Sequence, residues 1–308
     1  MVRFLIVGAG ATGGYFGGRL LEVGCDVTFL VRPRRAEELA RTGLLIRSRY
    51  GDASFPAPPT ITAEYLQDTY DVILLTLKSY DLDHAVESFA PAVGPQSVIL
   101  PLLNGMSHLD RLDARFGAEH VLGGLCMIAV TLDADGGIRH LNENHTLAFG
   151  ERGGGSSNRV KAIYNAMADV RFDLQSSERI LHEMWEKWVF IASVAGITCL
   201  MRASIGDIEA AGGADLAMSL YDECAAIARS HGFPPSQSSI TRSHRMLTAP
   251  GSTLTASMLR DIERGARTEA DHIVGELLRR RTDPNAALLA VVHTHLMAYE
   301  RRRMRESE

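Results

Sequence analysis

The stretch RFLIVGAGATGGYFGGRLLEVGCDVTFLV, residues 3–31, decides the fold. After Arg3, Phe4–Val7 form an apolar run without alternation, the pattern of a parallel strand covered on both faces. The run passes directly into Gly8-Ala9-Gly10-Ala11-Thr12-Gly13, then a helical stretch, then a second apolar strand from Cys25 to Val31. A strand, a glycine turn, a helix and a strand within about thirty residues is the setting in which G-x-G-x-x-G signals a dinucleotide site. Each glycine meets a separate need. Gly8 permits the tight turn, Gly10 lets the backbone approach a pyrophosphate, and Gly13 lets the helix pack on the strand. Ala11 and Thr12 stand at the helix N-terminus, whose N–H groups and dipole attract phosphate.

The end of the second strand selects the dinucleotide. NAD sites place an acidic residue there for the ribose 2′-hydroxyl. Here the strand ends in Val31-Arg32-Pro33-Arg34-Arg35, and Asp26 lies at its other end. A guanidinium binds a 2′-phosphate through paired, charge-assisted hydrogen bonds, so NADP(H) is the expected cofactor and Arg32 its reader. Arg34 and Arg35 read as a solvated basic turn.

Further apolar strands are expected at 70–82, ending near Lys78, and at 97–106, ending at Asn104-Gly105. Ligands in open α/β sheets sit beyond the carboxyl ends of the strands. Gly8, Arg32, Lys78 and Asn104 all fall at such ends. Residues 124–151 alternate around Asp-Gly-Gly and read as an antiparallel pair; a helix is expected over 159–169 and a strand at Val170–Gln175. A domain boundary is placed at 175/176. The second part reads as helical throughout, with helices over 178–200, 214–231, 236–247, 255–281 and 284–304. The fold class is therefore an α/β Rossmann-type domain (1–175) with a mostly parallel sheet, followed by an all-α domain (176–308).

The totals narrow the function. The chain has 308 residues, enough for two domains, is 46% hydrophobic and carries a formal net charge of −5. That balance argues against nucleic acid or an anionic membrane as the main partner. Cys25, Cys126, Cys199 and Cys224 form no C-x-x-C pair, so no metal site is expected, and reduced thiols suit a cytoplasmic protein. The opening MVRFLIVGAG reads as a buried strand, not a secretory h-region. The uncharged run from Trp188 to Met201 is too short to cross a bilayer and reads as a core helix. Lys187 heads that run. Most such lysines carry their charge to the surface along an apolar stem.

Several segments together resemble ketopantoate reductase (2-dehydropantoate 2-reductase): the N-terminal glycine motif, TLKSYD at 76–81, NGM at 104–106, the W-x-K of Trp185–Lys187, and SMLRDIERGARTEAD at 257–271. Ser257, Asp261, Thr268 and Glu269 keep the family's spacing, and the blocks span almost the whole chain in order. The resemblance implies an NADPH-dependent reduction of 2-dehydropantoate to pantoate, in pantothenate biosynthesis. It implies Lys187 as general acid and Glu269 as the residue that positions substrate or lysine. Ser257 would bind the substrate carboxylate, and Lys78 and Asn104 would contact cofactor and substrate. The chemistry suits these residue types. Hydride delivered to a ketone carbon builds an alkoxide that needs a proton, and a partly desolvated lysine beside a carboxylate is a suitable donor. The expected partner is a small-molecule 2-keto acid; a homodimer is allowed but not dictated.

One departure stands out. The family usually carries asparagines four and eight residues after the lysine, where this chain has Ile191 and Ala195, and a third three residues before the serine, here Leu254. Lys187, Ile191 and Ala195 share a helix face. An acceptor bulkier or less polar than ketopantoate is therefore expected as an alternative, with Ser193 and Thr198 the nearest hydroxyls to compensate. Other NADP-dependent two-domain enzymes, such as 3-hydroxyacid dehydrogenases and imine reductases, lack the Ser257–Glu269 block. A non-catalytic NADP sensor would bind the cofactor without turnover.

Overall fold

The computed structural model describes residues 1–282 and 286–307. Its opening segment forms β1 (Arg3–Val7), α1 (Ala11–Glu22) and β2 (Asp26–Leu30), with β1 and β2 parallel and Phe4 opposite Val27. Then come α2 (Pro33–Thr42), β3 (Leu44–Arg47), β4 (Ala53–Phe55), β5 (Thr60–Ile61), β6 (Tyr70–Leu75), α3 (Leu82–Phe89) and β7 (Val93–Pro101). Strands β5, β2, β1, β6 and β7 make one sheet, in that order, and every pairing in it is parallel. This is the doubly wound sheet expected from the glycine segment.

A second sheet was not expected as a separate layer. After α4 (Ser107–Phe116), the long β8 (Gly123–Leu132) and β9 (Ile138–Gly150) form the antiparallel pair that the alternation indicated. Helix α5 (Asn158–Ala166) leads to β10 (Asp173–Ser176). Strand β9 also pairs in parallel with β10 and β3, and β3 pairs antiparallel with β4. Helix α1 touches both sheets. A Cβ at Gly17 would overlap the Phe29 ring, whereas one at Gly14 or Gly18 would overlap Ile138 or Ile46. The GGYFGG run is thus the sequence of a helix packed closely on two sides.

The remainder is helical: α6 (Ile180–Met201), α7 (Ile205–Ala210), α8 (Ala214–Ser230), α9 (Gln237–Leu247), α10 (Ser257–Glu263), α11 (Glu276–Arg279) and α12 (Ala287–Ser307). Helix α6 is apolar enough by composition to span a membrane, but 72% of that window is buried inside the protein. It is the core helix expected behind Lys187. Helix α7 was not anticipated; Ser204 and Asp207 form a capping box that starts it.

The helix expected over 255–281 is not continuous. Helix α10 ends at Glu263, where Gly265 takes φ +67°. There Gly265 N–H donates to the Ile262 carbonyl and Ala266 N–H to that of Asp261, the paired bonds of a Schellman stop. The chain resumes as a π-helical turn, Asp271–Gly275, before α11. The expected start of the last helix, at 284, lies outside the described residues.

The described chain divides into two compact units, Met1–Leu103 with His108–Leu181, and Asn104–Ser107 with His182–Glu308. The division falls six residues beyond the 175/176 boundary read from sequence. It also assigns a four-residue turn from the first half to the helical unit.

Candidate active site

In the first unit, Gly8 has φ +97° and its N–H donates to the Leu30 carbonyl at 3.0 Å, extending the β1–β2 ladder into the glycine loop. A Cβ at Gly13 would overlap the Gly8 carbonyl oxygen and the Thr76 hydroxyl. That hydroxyl donates to the Val7 and Gly8 carbonyls at 3.0 and 3.1 Å and ties the loop to the end of β6. A Cβ at Gly10, by contrast, would meet no protein atom within 4 Å. Gly10 is also the N-cap of α1 and supplies no capping side chain. The N-terminal turn, with Ala11 and Thr12, thus presents backbone rather than side chain to any phosphate. These features fit a pyrophosphate.

Arg32 closes β2 with its side chain 66% exposed, and its guanidinium pairs with Asp81 at 3.0 Å. Lys78, half-buried, caps the short 3-10 turn Ser79–Asp81 that carries this carboxylate. Arg35 departs from the solvated turn expected of it. Its side chain is only 17% exposed, and its Nε donates to the Ala9 carbonyl, inside the glycine loop, at 3.1 Å. The first turn of α2 folds it back there, with Glu38 on its other edge. Arg34 is 91% exposed, as expected.

The helical unit holds the remaining candidates. Lys187 lies half-buried on α6 between buried Glu186 and Trp188. The Trp188 indole N–H donates to the Ile273 carbonyl at 2.8 Å, and Ile273 N–H donates to the Glu269 carbonyl at 2.9 Å. So the residue beside Lys187 is bonded to the turn that begins at Glu269. Glu269 is buried, whereas Arg264 and Arg267 are exposed and the chain between them is not helical. Ser257 is the exposed first residue of α10, and Asn104 is half-buried in the four-residue turn that belongs to this unit.

The face of α6 beyond Lys187 is apolar. Ile191 is half-buried and Ala195 buried. The two hydroxyls expected to compensate are turned to their own helix: Ser193 donates to the Val189 carbonyl at 2.7 Å and Thr198 to that of Val194 at 2.6 Å. Both are fully buried and satisfied by their own helix.

Sequence reading placed Arg35 in a solvated turn and did not single out Ser107 or Glu276. Ser107 N–H donates to Glu276 Oε2 at 3.1 Å, and the Ser107 hydroxyl shares a hydrogen bond with His272 Nδ1 at 3.0 Å. Only the NGM motif, which immediately precedes Ser107, marked the neighbourhood. Among the described residues, no group of three or more His, Cys, Asp or Glu could hold a metal ion.

Comparison with known proteins agrees with this arrangement. The ketopantoate reductase PanE/ApbA model matches residues 4–154, and the model of its C-terminal part matches residues 179–300. The "Uncharacterized oxidoreductase YkpB" of Bacillus subtilis (strain 168) is 40% identical over 302 residues, covering 97% of this chain and 99% of that protein. The 2-dehydropantoate 2-reductase of Mesorhizobium japonicum is 28% identical, covering 94% of this chain and 97% of its own. The crystal structure of 2-dehydropantoate 2-reductase from Methylococcus capsulatus superposes with a TM-score of 0.86 at 27% identity, covering 98% of each chain. The chain is an oxidoreductase that belongs to the ketopantoate reductase family.

Proposed function

We propose that the protein reduces a 2-keto acid to the 2-hydroxy acid with NADPH, and that Lys187 is the general acid. The observation that carries this reading is the tether between Trp188, next to Lys187, and the turn that begins at buried Glu269. The nucleotide, when bound, supplies a hydride to the keto carbon. The carbonyl oxygen then gains negative charge, and the Lys187 ammonium donates a proton to it. Glu269 orients the ammonium or the substrate, and Ser257, at the start of α10, takes the substrate carboxylate. Asn104 holds the substrate and the nicotinamide end of the cofactor. Gly8, Gly10, Ala11, Thr12, Gly13, Arg32 and Lys78 hold the nucleotide, with Arg32 on the 2′-phosphate. The setting is cytoplasmic.

2-Dehydropantoate is the first candidate substrate. A second reading, an acceptor with an apolar side chain, is favoured by the α6 face, where Ile191 and Ala195 follow Lys187 and both nearby hydroxyls are already bonded. Each methylene that an acceptor buried there would contribute about 0.8 kcal/mol. The test is NADPH oxidation with a panel of 2-keto acids, 2-dehydropantoate included. Lys187→Ala is expected to lower kcat by about 10²–10⁴-fold, the usual share of a positioned general acid. A variant that kept its rate would remove Lys187 from the mechanism. Preference for 2-dehydropantoate over larger apolar 2-keto acids would sink the second reading. Tight NADPH binding without turnover of any acceptor would sink the reductase itself.

A further inference from the structure

The turn Asn104–Ser107 leaves the parallel sheet yet belongs to the helical unit. Three contacts hold it there. Gly105 takes φ +77°, and a Cβ on it would lie 3.0 Å from both the His272 ring and the His272 carbonyl oxygen. The Ser107 hydroxyl bonds His272 Nδ1, and Ser107 N–H donates to Glu276 Oε2. Glu276 is 5% exposed, and its other oxygen accepts from Arg280 Nε and Nη2 at 3.1 and 2.8 Å. The Arg280 guanidinium in turn lies over the Trp185 and Trp188 rings, 5.7 and 5.5 Å from their centroids. Those are the two tryptophans that flank Lys187. One connected path therefore runs from the turn of Asn104, through a buried carboxylate and an arginine, to the helix of the proposed acid.

A carboxylate this buried is costly unless it is paired and fully hydrogen-bonded. Glu276 meets both conditions only with Arg280 on one oxygen and the Ser107 amide on the other. The arrangement fixes the turn with a directional, charge-assisted bond, stronger than a neutral one. We propose that Glu276, backed by His272, is a positioning residue. It holds the Asn104 turn in register with Lys187, so that the amide and the ammonium address the same substrate. This rests on the reductase reading given above.

The test is a double-mutant cycle between Glu276→Ala and Asn104→Ala, read as KM and kcat for whichever 2-keto acid the wild type reduces. Glu276→Ala is expected to raise KM about tenfold, the scale of one lost charge-assisted hydrogen bond. It should add little in the Asn104→Ala background, because both changes remove the same interaction. Glu276→Gln, whose amide oxygen still accepts from Ser107, should restore most of the loss. Additive effects, or a fallen thermal midpoint with KM within about twofold of wild type, would overturn the proposal and leave Glu276 as a helix cap for α4. Hydrogen exchange of residues 102–107 decides the tether without turnover. Faster exchange in Glu276→Ala supports it and unchanged exchange overturns it. A wild type that reduces no 2-keto acid would instead refute the reductase reading.

Discussion

Arg32 and Asp81 hold each other at 3.0 Å, where a 2′-phosphate is proposed to bind. Such an exposed pair is worth only about 0–1 kcal/mol, so a dianionic phosphate can take the arginine from it. The carboxylate then remains close to the phosphate and repels it, by roughly 1 kcal/mol per pair of unit charges at 4 Å in water. Asp81→Asn is therefore expected to tighten NADPH binding about three- to tenfold, with little change for NADH, a gain of about 1 kcal/mol. Arg32→Ala should weaken NADPH selectively. Fluorescence titration of both nucleotides at fixed salt reads the outcome, and Asp81→Asn tightening both equally would refute the discrimination. The glycine roles were legible because they follow from local sterics at three positions in a turn. The Arg32–Asp81 pair was not, because its members are 49 residues apart in sequence and meet only where β1 brings β2 and β6 to either side of itself. Arg35 was misread for a similar reason: only the first turn of α2 shows that it folds back on Ala9.

At the scale of elements, the second sheet holds a polar stack with its own pH response. Tyr50 lies on His145 with centroids 3.9 Å apart, and Tyr15 on α1 bonds His145 Nδ1 through its hydroxyl at 2.9 Å. His140, hydrogen-bonded to Ser48, continues the stack. Buried Arg19 lies over the Tyr15 ring and donates to the Gly51 carbonyl, so loop and helix share one cation. Burial pushes the His145 pKa down, nearby His140 and Arg19 push it further, and Asp173 opposes them. The native state thus prefers the neutral ring more than the unfolded chain does. Below the unfolded value of about 6.5 the unfolded state binds the extra proton, so stability is lost as pH falls from there toward the native pKa. Urea midpoints should drop between pH 7.5 and 5.5, and His145→Asn should flatten that drop. An equal slope in the variant would assign the loss to other groups. The alternation of β8 and β9 made their pairing legible. The break in 255–281 was missed because helix-forming residues surround Gly265, and one left-handed glycine outweighed their summed propensity.

For the molecule as a whole, the two units divide the proposed work. The nucleotide residues up to Lys78 lie in the first, and Lys187, Glu269, Ser257 and Asn104 lie in the second. The broad plan was readable from the change of period, from strand runs to helix, near residue 176. The assignment of Asn104–Ser107 to the second unit was not, since it depends on His272 and Glu276, more than 160 residues further on. Because of that excursion the backbone passes between the units three times. The cysteines allow the cooperativity of unfolding to be measured. Cys199 on α6 and Cys224 on α8 are fully buried, and burial pushes both thiols up to about 12. Cys25 and Cys126, in the first unit, are only half-buried. At pH 8 a thiol with so high a pKa is about 10⁻⁴ thiolate, so Cys199 and Cys224 should react with a disulfide reagent only after opening exposes them. A ligand at 100 times its Kd stabilises the native state by about 2.7 kcal/mol, which slows labelling through global opening about 100-fold. NADPH is proposed to bind chiefly in the first unit, yet it is expected to slow the labelling of Cys199 and Cys224 in the second by nearly that factor. If the nucleotide protects Cys25 and Cys126 while the buried pair reacts at its unliganded rate, the two units unfold independently.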